Sequence, residues 1–416
     1  MKISIPPALK HRQFALLWFG QAISVIGSQM QVWAIFWHID DLTKAPLALG
    51  MVGAARVVPI VLFSIFGGAI ADLFDRRKLM FITQTSDAAL ALILFGLTFT
   101  GRIELWHIYL ITALQAVAFS FDIPARQAVV PNLVPRAILP SALSLSSIAF
   151  QLGSILGPAL SGLVIAGLGI QFTYLINAVS FGSVILALIV MGPITQDTSV
   201  RQAHVRVDME MIREGLHFTF NNPLILSSMI LDFIATFFAS ANTLMPIFAR
   251  EVLGLDARGY GLLSAAQSAG AVTTAVVLSQ IKEIKRQGRI LLGAVVVFGI
   301  ATTIFGFSRI FWLSWLALAL AGASDTVSMV IRQTLRQLQT PDKLRGRMTS
   351  VNQIFFAGGP QLGEIEAGIV GQAFGVPAAA VSGGIACILG VFWIAKKWPQ
   401  LPRFNGDEPV LAGTES

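Results

Sequence analysis

The sequence is built from apolar blocks of about twenty or more residues joined, for the most part, by short polar connections. A bilayer core is about 30 Å thick, and a helix rising 1.5 Å per residue needs about 20 apolar residues to cross it. Twelve blocks can be marked, roughly at 14–38, 47–72, 78–100, 105–128, 139–166, 170–191, 223–248, 259–281, 289–308, 311–335, 348–373 and 377–397. In hydrocarbon every backbone N–H and C=O must find its partner within the segment, so runs of this length fold as helices. Only 12% of the 416 residues are charged and 55% are hydrophobic, against about 25% charged in soluble domains. The pattern predicts an all-α integral membrane protein with twelve transmembrane helices.

One long polar stretch, "GPITQDTSVRQAHVRVDMEMIREGLHFTFNN" at 192–222, divides six blocks from six. The expected organisation is an N-terminal six-helix bundle over 1–191, a cytoplasmic linker loop over 192–222, a C-terminal six-helix bundle over 223–397 and a cytoplasmic tail over 398–416. The basic opening "MKISIPPALKHRQ" has no short apolar core followed by a small-residue cleavage site, and reads as a retained cytoplasmic tail. With the N-terminus inside, 23 of the 29 Lys and Arg residues fall in cytoplasmic segments. Lys44, Arg102, Arg250, Arg258 and Arg309 fall on the other side, and Arg56 falls within a block. Basic residues gather on the cytoplasmic side of membrane proteins, so both termini are expected in the cytoplasm of a bacterial inner-membrane protein. The net charge of +7 is thus a matter of topology and calls for no nucleic-acid partner. Tryptophans 33, 37, 106, 312 and 315 near outer ends and 18, 393 and 398 near inner ends agree with this assignment.

The two halves repeat. A shift of 206 residues carries Arg126-Gln127 onto Arg332-Gln333, Pro135 onto Pro341 and Gly153 onto Gly359. It also carries Gly157 onto Gly363, Gly162 onto Gly368 and Gly169 onto Gly375. Six spans separate the copies, so the halves have the same orientation and are related by an axis along the membrane normal. Two pseudo-symmetric six-helix bundles with a site between them follow.

Three stretches carry a family resemblance. The loop "GGAIADLFDRRKLM" at 67–80 places Gly68, Ile70, Asp72, Arg76 and Arg77 in the pattern glycine-x-leucine-alanine-aspartate-x-x-x-basic-basic. This resembles the cytoplasmic loop signature of the major facilitator superfamily. "GSILGPALSG" at 153–162 resembles the antiporter signature of exporters in that superfamily, through Gly153, Gly157, Pro158 and Gly162. "FDIPARQAVVPNLVP" at 121–135 and "LLWFGQAISVIGSQM" at 16–30 resemble the branch of enterobactin exporter-like and multidrug efflux proteins. The resemblance implies the major facilitator fold, with Asp72 capping the cytoplasmic start of helix 11. It further implies that Arg76 bridges Asp72 to Asp122 as a cytoplasmic latch. The chain departs from the pattern at Leu73, where an arginine is usual, at Asp75 and Ser161, where glycine is, and at Thr112, where drug antiporters carry an arginine three residues before Gln115. As bare physics, the loop is a topology signal, and the glycines, four apart, are a groove for close helix approach with a bend at Pro158.

Ionisable residues inside a membrane are costly and mark substrate or proton paths. The candidates are Arg56, Asp87, Asp232, Asp325, Glu364 and Glu366. Asp232 lies about nine residues into its block, roughly 13 Å deep. In the fold that the resemblance implies, helices 1, 4, 7 and 10 line the cavity, which favours Asp232 and Asp325 over Asp87. Structural ion pairs, with Arg56 as a partner, are the alternative. Glu364 and Glu366 lie on different helical faces, so one of the two is expected at the cavity. Trp33, Phe36, Trp37, Phe119, Phe233, Phe237 and Phe238 are candidate lining residues.

The expected function is secondary active, proton-coupled export of a small amphipathic molecule, drug or siderophore-like compound by a monomer that alternates access. An importer or symporter of a small metabolite is the alternative, ahead of a membrane enzyme or channel. No G-x-x-x-x-G-K-[ST] or H-E-x-x-H string is present, and Cys387 is the single cysteine, so no ATP site, metal or cofactor is expected.

Overall fold

The computed structural model describes residues 6–192, 216–238, 241–281, 284–341 and 344–406, and within these the side chains of 64–73 and of much of 345–357 are outside the description. Twelve long helices follow one another: α1 (Arg12–Thr43), α2 (Pro46–Leu73), α3 (Arg76–Phe99), α4 (Leu105–Leu133), α5 (Leu139–Gly167) and α6 (Ile170–Met191), then α7 (Pro223–Phe238), α8 (Ala257–Ser279), α9 (Gln287–Phe307), α10 (Phe311–Leu338), α11 (Arg345–Phe374) and α12 (Val376–Lys397). Short helical turns flank them, and no strand occurs among the described residues. Among the described residues, ten helices are long and apolar enough to cross a membrane. The other two, α1 and α11, are long but interrupted by polar residues such as Gln21, Gln29 and Gln31, or Gln361, Glu364 and Glu366. Most of the 192–222 linker lies outside the described residues.

The helices form two compact units. One comprises Met1–Thr43, Ala55–Arg206 and Leu255–Ala265, the other Lys44–Ala54, Val207–Gly254 and Ala266–Ser416. In the first, α1 packs on α5 and α6, and α3 packs on α4 and α6. In the second, α7 packs on α11 and α12, and α9 packs on α10 and α12. Adding six to each helix number converts the first set of pairings into the second. The internal repeat in the sequence is therefore a repeat in packing.

Glycines explain why the repeat survives at particular positions. Gly169 and Gly375, one repeat apart, precede α6 and α12 with φ of 102° and 89°, which only glycine adopts without strain. Gly162 and Gly261 pack back to back, a Cβ on Gly162 falling 2.7 Å from the Cα of Gly261. Gly50 and Gly368 do the same in the other unit, where a Cβ on Gly368 would lie 2.8 Å from the Cα of Gly50. Helices approach this closely in membranes only where both carry small residues.

Each unit has its own core. Phe14, Leu17, Met80, Val129, Val184 and Leu188 fill the first, and Met229, Leu291, Val295, Leu335, Val391 and Phe404 the second. The outer surface is unusually apolar: Ile82, Phe99, Leu186, Phe307, Trp312 and Phe392 are all exposed. Such a surface would aggregate in water and is solvated by lipid tails.

The block at 223–248 falls within one candidate span, Pro223–Val252, in which α7 is the first described part. After 239–240 the chain continues through a 3-10 turn (Ala241–Leu244), a short helix (Met245–Ile247) and a π turn (Phe248–Val252). Pro246 stands in the first turn of the short helix, where its missing N–H costs no ladder bond.

Candidate functional site

The C-terminal helices bring Asp232 and Asp325 to one arginine. Asp325 and Arg332 are seven residues apart on α10, two turns on one face, and Asp232 projects from α7. Nη2 of Arg332 is 2.9 Å from a carboxylate oxygen of Asp232 and 3.7 Å from one of Asp325. The environments of the two acids differ. The side chains of Arg332 and Asp232 are only 4% and 6% exposed, whereas 43% of the Asp325 side chain is open. Arg332 keeps Nε and Nη1, and Arg336 one turn further keeps Nη1, buried without a hydrogen bond among the described residues. The arrangement is a buried ion pair, Arg332–Asp232, with a second, partly exposed carboxylate 3.7 Å from the same guanidinium.

By position near the end of its block, Arg332 reads in the sequence as one of the cytoplasmic arginines that set topology. Its side chain is buried instead. The signal was present: it is the repeat partner of Arg126 and shares a helical face with Asp325.

In the N-terminal unit Arg126 pairs with Asp122 one turn earlier on α4. Asp122 also accepts hydrogen bonds from Thr83 Oγ1 and Gln84 Nε2 of α3, each at 3.0 Å. Asp87 on α3 lies in the field of Asp122 and Arg126, with its Oδ1 buried and without a hydrogen bond. The repeat thus keeps its arginine but draws the acids from different helices.

The remaining candidates separate. Arg56 stacks its guanidinium over the Phe36 ring at 5.5 Å, and Arg332 is the described ion-pair partner of Asp232 and Asp325. Glu364 packs against Gly53 of α2, where a Cβ on the glycine would fall 2.8 Å from that of Glu364. Glu366, two residues on, lies on a different face of α11 and is half-buried. Arg76 donates to the carbonyl of Ala128 at 3.0 Å, and Arg77 Nε to that of Leu188 at 2.7 Å. Asp75 caps α3, accepting from the backbone N–H groups of Arg77 and Lys78. Gly68 and Asp72 lie on α2, and their side chains are outside the described residues.

The glycine motif seats two helices. Gly153 and Gly157 admit the backbone of α1, with carbonyl carbons of Val25 and Gln29 at 3.2 and 3.0 Å from the ideal Cβ positions, while Gly162 admits α8. Among the expected lining aromatics, Phe36 and Trp37 are buried, and Trp33 and Trp37 pack on Tyr260 at 6.0 and 5.0 Å. Gln115 on α4 accepts from Gln31, which accepts from Asn177 of α6. An uncharged amide chain therefore links α1, α4 and α6 about one turn from Thr112.

Residues 4–409 match the protein family described as transmembrane secretion effector. The chain is 24% identical over 410 residues to the enterobactin exporter EntS of Citrobacter koseri, covering 97% of this chain and 96% of that one. It is 25% identical to the same exporter of Salmonella choleraesuis, covering 96% and 95%. To YfiS of Bacillus subtilis, an uncharacterized MFS-type transporter, it is 26% identical over 62% of this chain and 61% of that one. Among solved structures, a bacterial homologue of the iron transporter ferroportin in the inward-facing state superposes with a TM-score of 0.69 at 16% identity, covering 93% and 98%. The nucleoside transporter NupG does so with a TM-score of 0.68 at 12% identity, covering 92% and 98%.

Proposed function

The chain belongs to the transmembrane secretion effector family of major facilitator transporters, and from that premise we propose that it is a proton-coupled exporter whose proton-carrying acid is Asp325. The observation that carries this reading is the contrast at Arg332. Asp232 is buried against the guanidinium at 2.9 Å, while Asp325 stands 3.7 Å away with 43% of its side chain open. Asp232 braces the arginine. Asp325 is the more open and the more loosely paired of the two, and an intramembrane carboxyl so placed fits a coupling role.

Access alternates about this site. Open to the outside, Asp325 takes a proton, and open to the cytoplasm it releases it, so that inward proton flow moves substrate outward. Gly153, Gly157, Pro158 and Gly162 hold α5 tightly to α1 and α8, as the antiporter-like motif implies. Asp72 with Arg76 forms the cytoplasmic latch, Arg77 ties α3 to α6, and Asp122 is engaged by Arg126, Thr83 and Gln84 instead of by Arg76. Arg126 with Asp122 and Asp87, Arg56 with Phe36, and Glu364 against α2 are structural. Glu366 is the reserve carrier. The bundles span 1–191 and 223–397 about the 192–222 linker, with the 398–416 tail and both termini in the cytoplasm of a monomeric inner-membrane protein that performs no enzymatic step.

The substrate is a small amphipathic molecule. The full-length relatives named as enterobactin exporters support a siderophore-like compound. The test is uptake of enterobactin and a drug panel into inside-out vesicles acidified within. Gradient-dependent accumulation by the wild-type protein, lost in Asp325→Asn while downhill exchange persists, is expected. Gradient-driven uptake by Asp325→Asn with an unshifted pH profile would move the coupling site elsewhere.

A further inference from the structure

A groove of about 360 Å³ runs between α3 and α6 on the outer wall of the N-terminal unit, lined by Arg77, Lys78, Phe81, Ile82 and Ile189. Its two parts have different chemistry. Arg77 and Lys78 stand in the first turn of α3, where the apolar span begins and the headgroups lie. Phe81 and Ile82 lie about 5–7 Å deeper on α3, at 1.5 Å per residue, Ile189 flanks them from the end of α6, and all three are exposed. A cationic rim above an apolar trough matches one molecule of a bilayer, whose phosphate sits at the interface and whose chains run inward.

The rim is held in place. Arg77 Nε donates to the carbonyl of Leu188 at 2.7 Å, next to Ile189, so the guanidinium is anchored at the mouth of the trough. Topology alone requires positive charge somewhere in the loop and does not require this anchor. Electrostatics also calls for an anion. Arg76, Arg77 and Lys78 crowd the positive end of the α3 dipole, an unfavourable place for cations, and the capping carboxylate of Asp75 is already engaged by two backbone N–H groups at 2.9 and 3.2 Å. Arg76 turns away to the carbonyl of Ala128 on α4. Arg77 and Lys78 are left to face the rim.

We propose that this groove seats one anionic phospholipid, with its phosphate between Arg77 and Lys78 and the upper part of an acyl chain along Phe81, Ile82 and Ile189. The volume accommodates about a dozen water-sized groups, enough for the glycerol region and the first part of a chain. The seat stands independently of the export reading. In the topology proposed above it faces the cytoplasmic leaflet, the one rich in anionic lipid. A lipid here would stitch the start of α3 to the end of α6.

Native mass spectrometry of the full chain in detergent, titrated with phosphatidylglycerol or with phosphatidylcholine of the same chains, tests the proposal. The wild-type protein should retain one phosphatidylglycerol in preference to phosphatidylcholine, and raising the ammonium acetate concentration should weaken it. Arg77→Gln with Lys78→Gln should weaken that binding about tenfold or more, since two interfacial cations are removed. Ile189→Trp keeps both charges but fills the trough, and should weaken it as well. It also serves where the charge variant fails to fold. Equal retention of both lipids by the wild-type protein, or undiminished phosphatidylglycerol binding by either variant, overturns the seat. Displacement of the lipid by inorganic phosphate alone would overturn the role of the apolar trough.

Discussion

Arg332 and its two acids show how one side chain sets different outcomes for similar substitutions. Removing one partner of a buried ion pair leaves an uncompensated charge and typically costs about 3–5 kcal/mol, whereas replacing both partners with apolar groups is often neutral. Asp232→Asn is therefore expected to lower stability by about 3–5 kcal/mol. Asp232→Leu with Arg332→Met should recover most of that loss. Asp325→Asn, at a carboxylate 43% open and 3.7 Å from the guanidinium, should melt close to the wild-type protein. Thermal melting of the four proteins in one detergent checks the order, and an Asp232→Asn protein as stable as wild type would remove the brace. Asp232 and Asp325 were legible in the sequence because a charge inside an apolar block stands out. Arg332 was not, because an arginine six residues from the end of α10 resembles the many that merely set topology. Its partner on α7 is fixed by tertiary packing, which spacing within α10 does not reveal.

At the scale of the helix, a glycine matters by what its missing side chain would strike. Gly162 meets the backbone of Gly261, which cannot turn aside. Gly359, its neighbour in kind on α11, meets the side chains of Thr236 and Phe233, which can. Gly293 on α9 meets nothing within 4 Å. Overpacking typically costs about 1–3 kcal/mol, while alanine for glycine in an open helical position gains about 0.5–1 kcal/mol. The expected order of melting temperature is Gly293→Ala above wild type, then Gly359→Ala, then Gly162→Ala lowest. A Gly162→Ala protein as stable as Gly293→Ala would mean that α5 and α8 do not approach as described. The glycine repeat and the need for a close partner were readable from spacing. Which helix enters each groove was not, because α1, α7, α2 and α8 all offer small or flexible positions.

At the scale of the whole molecule, the twelve-helix count, the division into halves and the repeat could be read from the sequence because bilayer thickness and backbone pairing leave few alternatives. The assignment of 44–54 and 255–265 to the opposite compact units could not, since it depends on glycine contacts between helices far apart in sequence. Orientation is the remaining property on which the direction of transport depends, and the charge distribution makes a firm demand of it. With 23 of 29 basic residues on one side, both termini and the linker are expected in the cytoplasm. The native chain is well suited to the test, because its single cysteine, Cys387, is buried. Cysteines introduced singly at Arg206 and Arg403 should react with a membrane-impermeant maleimide only in inside-out vesicles. Those at Arg102 and Arg309 should react in intact cells. Reaction of the Arg206 position from outside would invert every assignment of sidedness, placing the Arg77 groove in the outer leaflet. The same proton cycle at Asp325 would then have to be driven from the other side, and an inward proton gradient would no longer move substrate out of the cell.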